Sequence, residues 1–270
     1  MTMKQENTTN YALITGATGG LGKAFVYELA SRGYALLLTG RNGEKLRVLQ
    51  AELSEKFPSV ETRLYPADLA KEGDRYALMD AIAKEGILLS TLVNVAGADI
   101  QKPVEAYTQD KLIFQCRVNF ESAVCLCRFA VENKAETLKI INVSSVSGIY
   151  PMPYFAVYSA TKGALTSFSQ SFREEVKKKG VHVTAVLPGA MPTREDIKAQ
   201  IKGQGLWGKL AVKSPESVVK ASLRAVDKNK KKIIVGFWNK TMRIATFWMP
   251  TSWRLKFIAK RWSKITKDAF

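Results

Sequence analysis

Short, almost wholly apolar runs alternate with amphipathic stretches from residue 11 to about residue 236. The runs YALIT (11–15), YALLLT (34–39), VETRLY (60–65), TLVNVA (91–96), LKIINVS (138–144), VHVTAVL (181–187) and KIIVGF (232–237) have strand length. Several carry no polar alternation, as strands covered on both faces require. Between them, helical patterns run over 21–31, 44–57, 74–84, 110–133, 157–179 and 215–228, with stops at Gly33, Pro58 and Gly180 and a Ser214 N-cap ahead of Pro215. Strand alternating with helix predicts an α/β fold: one doubly wound domain with a central parallel sheet of about seven strands and helices on both faces.

Composition agrees with a globular chain: 270 residues, 46% hydrophobic and 24% charged, can bury a full core. No apolar run reaches the roughly 18 residues of a membrane span. The first ten residues, MTMKQENTTN, are polar where a signal peptide turns apolar, so a cytoplasmic location is expected. Cys116, Cys125 and Cys127 form no CxxC and have no histidine cluster beside them, and they read as small apolar residues. No metal site is expected. His182, the single histidine, sits in a strand pattern and reads as packing.

Charge changes the picture more. Of the formal +17, twelve Lys or Arg against one acid, Asp268, fall between Lys228 and Phe270. The excess therefore belongs to the tail, and the body's chemistry is a separate question. Within the tail, Leu255, Ile258, Trp262 and Ile265 make one helical stripe against Arg254, Lys256, Lys260, Arg261 and Lys264. Such a basic amphipathic helix suits peripheral membrane contact, a roof over a substrate cavity, or a subunit contact. Nucleic-acid binding is not expected, because the tryptophans lie on an apolar stripe rather than interleaved along a basic groove.

The first strand runs through TGATGGLG, Thr15 to Gly22, into a helix. Glycines at 16, 20 and 22 let the backbone turn and approach a pyrophosphate, whose charge suits the unpaired N–H groups of a helix N-terminus. Farther on, YSATK places Tyr158 and Lys162 one helical turn apart on one face. That spacing means little by itself. The order of the motifs means more: TGATGGLG, NVAG (94–97), SSVSG, YSATK and PGAMPT (188–193), each near the end of a predicted strand or opening a helix.

With these motifs the chain resembles the short-chain dehydrogenases/reductases over about 180 residues, bacterial hydroxysteroid dehydrogenases among them. The resemblance implies a Rossmann-type fold with a dinucleotide-binding catalytic domain at 1–238; the tail beyond lies outside it and is set off by composition as a basic aromatic extension at 239–270. It implies oxidoreduction of a secondary alcohol or ketone with Tyr158 as acid/base, Lys162 as its cationic partner and ribose anchor, Ser145 as the donor orienting the substrate oxygen, and Asn119 as anchor of a proton-relaying water. A tyrosine of ordinary pKa, about 10, is a poor base at neutral pH. An ammonium about 5 Å away is worth roughly 3 kcal/mol at an effective dielectric of about 20, a shift of about two units. Ser144 and Ser147 compete with Ser145 for the serine role, and the 13-residue spacing to Tyr158 favours Ser145.

By the same resemblance the dinucleotide is held by Gly16, Thr18, Gly20, Leu21, Gly22, Asp68, Leu69, Asn94, Ala96, Gly97, Tyr158, Lys162, Pro188, Gly189 and Thr193. Val95 replaces the family's second asparagine, which puts an inter-strand hydrogen bond in doubt. After the second strand, Gly40 stands where NAD enzymes carry an acid, and Arg41 follows. A planar cation suits a 2′-phosphate, so NADP(H) is expected ahead of NAD. Ile149, Tyr150, Met152, Tyr154 and Phe155, with the segment 194–212, are expected to build an apolar substrate site, Tyr154 joining Ser145 and Tyr158 as a contact. A hydroxysteroid or bile acid is the expected substrate and a 3-oxoacyl thioester the alternative. A catalytically silent dinucleotide sensor is the rival of another class. The family's habits imply a homodimer or homotetramer through the helices of 110–133 and 157–179.

Overall fold

The computed structural model describes residues 9–192 and 212–263. Seven strands form one sheet: β1 (Tyr11–Thr15), β2 (Ala35–Gly40), β3 (Thr62–Pro66), β4 (Leu89–Asn94), β5 (Lys134–Val143), β6 (Val181–Leu187) and β7 (Lys232–Ile234). Their order is β3-β2-β1-β4-β5-β6-β7, and every pairing is parallel. Helices α1 (Gly20–Ser31), α2 (Gly43–Lys56), α3 (Glu72–Lys84), α4 (Gln109–Cys116), α5 (Ser122–Glu132), α6 (Ala156–Val176) and α7 (Pro215–Asp227) cover both faces.

The period of two along each strand divides the core into two layers. Ala12, Ile14, Leu36 and Leu38 pack under α1, α2 and α7, while Leu13, Leu37, Leu89 and Leu92 pack under α3 and α5. With both faces buried, none of these strands needs a polar face, which is why the sequence runs are apolar throughout. The turn signals hold as well: Gly33 and Gly180 have φ of 76° and 72°, and the Ser214 side chain accepts from the Ser217 N–H at the start of α7.

Three elements differ most from the sequence reading. The strand expected from residue 138 begins at Lys134, where it pairs with Leu89 of β4. The helix expected over 110–133 is interrupted by a π-helical turn, Arg117–Glu121, between α4 and α5. The strand expected to reach residue 237 ends at Ile234, because Gly236, with φ 97°, turns the chain into α8 (Phe237–Phe247), which is followed by α9 (Thr251–Trp262). The chain reverses direction across the sheet between β1, which leads outward to β2, and β4. The loops after these two strands diverge there and open a crevice at the strands' C-terminal ends.

Candidate active site

The crevice is a cavity of about 770 Å³. One end is built by the glycine turn. Gly16 adopts φ 62° and lies so close to the next loop that a Cβ there would meet the Ala96 backbone at 3.0 Å, while a Cβ on Gly22 would fall 2.1 Å from the Gly16 carbonyl oxygen. No side chain caps the N-terminus of α1 and no acid occupies its first turn, so its N–H groups remain for an anion. The Thr15 hydroxyl oxygen accepts from Val95 N (2.9 Å) and Ala96 N (3.0 Å), locking the turn after β4 onto the turn after β1. These residues fit a dinucleotide's pyrophosphate, since bulk is excluded where backbone must approach it.

Thr18, Gly20, Leu21, Arg41, Asp68, Leu69, Ala96, Gly97, Pro188 and Gly189 all line this cavity, as expected. Asn42 and Lys45, which the sequence reading missed, line it beside Arg41. The Asn42 side chain caps α2 by accepting from Lys45 N, and this cap fixes the corner where Arg41 sits with its guanidinium 5.5 Å from the Phe114 ring centroid. An Asn-Gly pair after a strand was the signal for that cap. Asp68 Oδ1 accepts from Ala70 N at 3.1 Å, which holds its carboxylate at the wall.

Asn94 departs from expectation. Its side chain is buried in the sheet and donates to Asn142 Oδ1 at 2.8 Å, so it bridges β4 and β5 and does not line the cavity; Val95 does. The inter-strand bond put in doubt by Val95 is therefore supplied by Asn94 itself and by Thr15. Thr193 and residues 194–211 of the expected substrate segment lie outside the described residues.

The chemical groups gather where β5 meets α6. Ser144 is buried, its hydroxyl donating to Lys162 O (2.7 Å) and bonded to Thr166 Oγ1 (2.7 Å), so it is spent on structure. Ser145 faces the cavity with its oxygen accepting from the backbone N–H of Ser147 at 3.1 Å, and Ser147 lines the cavity beside it. Lys162 is buried with Nζ donating to Val143 O at 2.9 Å and lying 5.9 Å from the centre of the Tyr158 ring. Burial pushes its pKa down to about 8, an effect that nearby Asp99 opposes. Asp99, directly after NVAG and Ala98, lines the cavity and was missed by the sequence reading, although an acid at that place was visible.

Asn119 lies in the π turn with both ends of its carboxamide engaged. Oδ1 accepts from Ala98 N (2.7 Å), and Nδ2 donates to Ala98 O (2.9 Å) and Thr161 Oγ1 (3.2 Å). A Cβ on Gly97 would meet Asn119 Oδ1 at 3.0 Å and Lys162 Nζ at 3.3 Å, so any side chain there would crowd both groups. The side chain therefore fastens the loop after β4 to α6.

Past Tyr158 the cavity becomes apolar, lined by Ile149, Met152, Phe155, Met191, Met242, Ile258 and Trp262. Phe155 stacks on Tyr158 (centroids 4.3 Å apart) and Trp262 on Phe155 (6.2 Å). Tyr154 does not line the cavity: its backbone is left-handed, φ 61°, and the turn presents Phe155 in its place. The tail stripe also resolves, since Ile258 and Trp262 turn inward to roof the cavity, while Ile265 lies outside the described residues.

The family model described as short chain dehydrogenase matches residues 10–202. The very-long-chain 3-oxoacyl-CoA reductase of Bos taurus is 36% identical over 222 residues, covering 80% of this chain and 68% of that protein. A solved 7β-hydroxysteroid dehydrogenase superposes with a TM-score of 0.80 at 25% identity, covering 93% of this chain and 96% of the other. A short-chain dehydrogenase from Sphingobium yanoikuyae, solved with NADPH, gives 0.74 at 26% identity and 97% of each chain. On its matched residues and its fold, this chain is a member of the short-chain dehydrogenase family, whose members bind a nicotinamide dinucleotide.

Proposed function

We propose that the protein is an NADPH-dependent reductase of a ketone on a long apolar substrate, most favourably a 3-oxoacyl thioester. One observation carries the reading. Ser145, Tyr158 and Lys162 line the same cavity as the glycine turn and Arg41 at one end and the Phe155–Trp262 apolar wall at the other. A silent sensor of the dinucleotide would need only the first end.

When bound, NADPH supplies a hydride to the carbonyl carbon. The Ser145 hydroxyl, its oxygen already held by Ser147 N, donates to the substrate carbonyl oxygen and fixes the reacting carbon. The Tyr158 hydroxyl gives its proton to the same oxygen as that oxygen becomes an alcohol, and the Lys162 ammonium stabilises the phenolate left behind. Asn119 keeps the loop 96–98 against α6, and the Arg41 guanidinium with Lys45 receives the 2′-phosphate. The catalytic unit is 1–238 and the extension 239–270, whose residues 239–263 form the roof, and homo-oligomerisation proceeds through α4–α5 and α6.

Likeness to the bovine reductase supports the acyl substrate. The hydroxysteroid expected from the sequence remains the second reading, supported by likeness to the 7β-hydroxysteroid dehydrogenase and by the stacked aromatic wall, which suits a flat polycyclic ring system. The loss of NADPH absorbance at 340 nm, followed with 3-oxoacyl-CoA thioesters of increasing chain length beside 3-, 7- and 17-keto steroids, tests both. Rates that rise with acyl length and stay at background with steroids are expected; the reverse order selects the steroid, and background rates with all of them defeat the proposal.

A further inference from the structure

Helices α8 and α9 divide their side chains between two environments. Toward the body, Met242, Arg243, Ile258 and Trp262 line the active-site cavity, and the Tyr150 and Thr246 hydroxyls share a 2.7 Å hydrogen bond. Away from it, Phe237, Ile244, Phe247, Trp248, Trp253 and Phe257 face solvent, Trp248 being 84% exposed and Ile244 and Trp253 each 68%. Single exposed apolar residues need no explanation, but six large ones on two consecutive short helices do.

The inward stripe of α9 is already covered by the cavity, so these outward residues are a separate apolar set. Between β7 and α8 lies a second cavity of about 300 Å³, walled by Ile234, Ile244, Phe247 and Trp248 and edged by Lys240 and Arg243. Residues 228–263 hold ten Lys or Arg and no Asp or Glu. The charge is concentrated enough to be felt by Lys232, whose ammonium is held below its ordinary pKa by burial first and then by Arg243 and Lys231.

Apolar rings set among cations with no acid between them complement an anionic lipid surface: the rings enter the boundary between headgroups and acyl chains, and the cations meet phosphates. A second copy of this chain would instead bring the same basic face against itself, and like charge opposes that contact. We propose that the outward face of α8 and α9 docks the protein on an anionic membrane surface while the inward face roofs the active site. If the substrate is the long acyl chain proposed above, and this clause rests on that reading, it can pass from the lipid to the cavity along the roof without crossing water.

Flotation of the full chain with phosphatidylglycerol or phosphatidylcholine vesicles, without substrate, tests the docking. The wild type is expected to float with phosphatidylglycerol at low salt and much less with phosphatidylcholine. The double variant W248E/W253E should bind at least tenfold more weakly. So should K256E/K260E, at on the order of fivefold for each cation near the surface. Turnover of a short, soluble ketone substrate and far-UV circular dichroism should stay unchanged in both variants, since none of the four residues lines the cavity. Wild-type protein that stays with the bottom fraction, or W248E/W253E floating like the wild type, overturns the proposal. So does a vesicle-free dimer that W248E/W253E dissociates, which would assign the face to a second copy. Because flotation uses no substrate, its failure and the failure of the acyl panel are separate results.

Discussion

The rings of Phe155 and Tyr158 lie stacked 4.3 Å apart at 15°, and Trp262 of α9 stacks on Phe155 at 6.2 Å. The phenol proposed as the acid is thereby braced by a residue at its own helix entrance and, through it, by α9. Offset aromatic pairs of this kind contribute about 0.5–1.5 kcal/mol beyond burial. Trp262→Ala is therefore expected to raise KM for the apolar substrate roughly tenfold while leaving the NADPH Kd within twofold. Equal losses in both, measured by steady-state kinetics and fluorescence titration, would mean that the tail supports the whole fold rather than the roof.

Tyr158→Phe removes the proposed acid but keeps the stack on Phe155. Turnover should fall by about 10²–10⁴, the usual worth of a positioned proton donor, with NADPH affinity and melting temperature nearly unchanged. Single-turnover absorbance at 340 nm reads the first quantity directly. Wild-type turnover in this variant would place the proton source elsewhere.

Lys162 supplies a pH dependence with a definite sign. Its folded pKa, about 8, lies below the unfolded value of 10.5, so the folded state binds fewer protons between those two pH values. Its burial penalty is carried in full below pH 8 and is relieved as pH rises toward 10.5. The difference corresponds to ~3 kcal/mol at about 1.36 kcal/mol per unit. Lys162→Met should abolish turnover yet gain stability on that order at pH 7 by urea denaturation, less the loss of the 2.9 Å bond to the Val143 carbonyl, and the gain should vanish near pH 10.5. In the wild type, kcat/KM for reduction should fall as pH rises through 8, where the cation beside Tyr158 is lost. A destabilised Lys162→Met protein would show that the ammonium holds the fold together.

Arg41 and Lys45 line the end of the cavity proposed to take a 2′-phosphate. A charge-assisted contact is worth about 1.5–3 kcal/mol, so Arg41→Ala should raise the NADPH KM roughly 10–100-fold and leave that for NADH almost unmoved. Parallel initial-rate measurements with both dinucleotides decide it, and equal effects on the two would remove Arg41 from this role.

Much of the molecule was legible in the chain because its physics is local. Strands buried on both faces need unbroken apolar runs, which made the central strands visible, while the edge strand β3, only half-buried and carrying Arg63, was marked by its length and place in the alternation; the stops at Gly33 and Gly180 and the cap at Ser214 were visible too. The glycine turn was readable because the absence of side chains at 16 and 22 is itself the device. Spacing singled out Ser145, which lines the cavity, while the Ser144 hydroxyl is bonded to Lys162 O and Thr166.

Other features depend on what a side chain meets across the fold, and no local pattern carries that. Asn94 and Val95 are consecutive, yet the strand's alternation turns the first toward Asn142 and the second toward the cavity. A left-handed backbone at Tyr154 gives its expected place to Phe155. The π turn that buries Asn119 against Ala98 follows from packing between the loop after β4 and α6. Sequence alone determined that residues 237–263 are basic and aromatic and that 251–265 carry a helical stripe; it showed no sign of α8 and could not determine which rings face in. Only the fold decided that Ile258 and Trp262 close the cavity and Trp248, Trp253 and Phe257 face solvent, because the sense of an amphipathic helix is set by the surface it lands on.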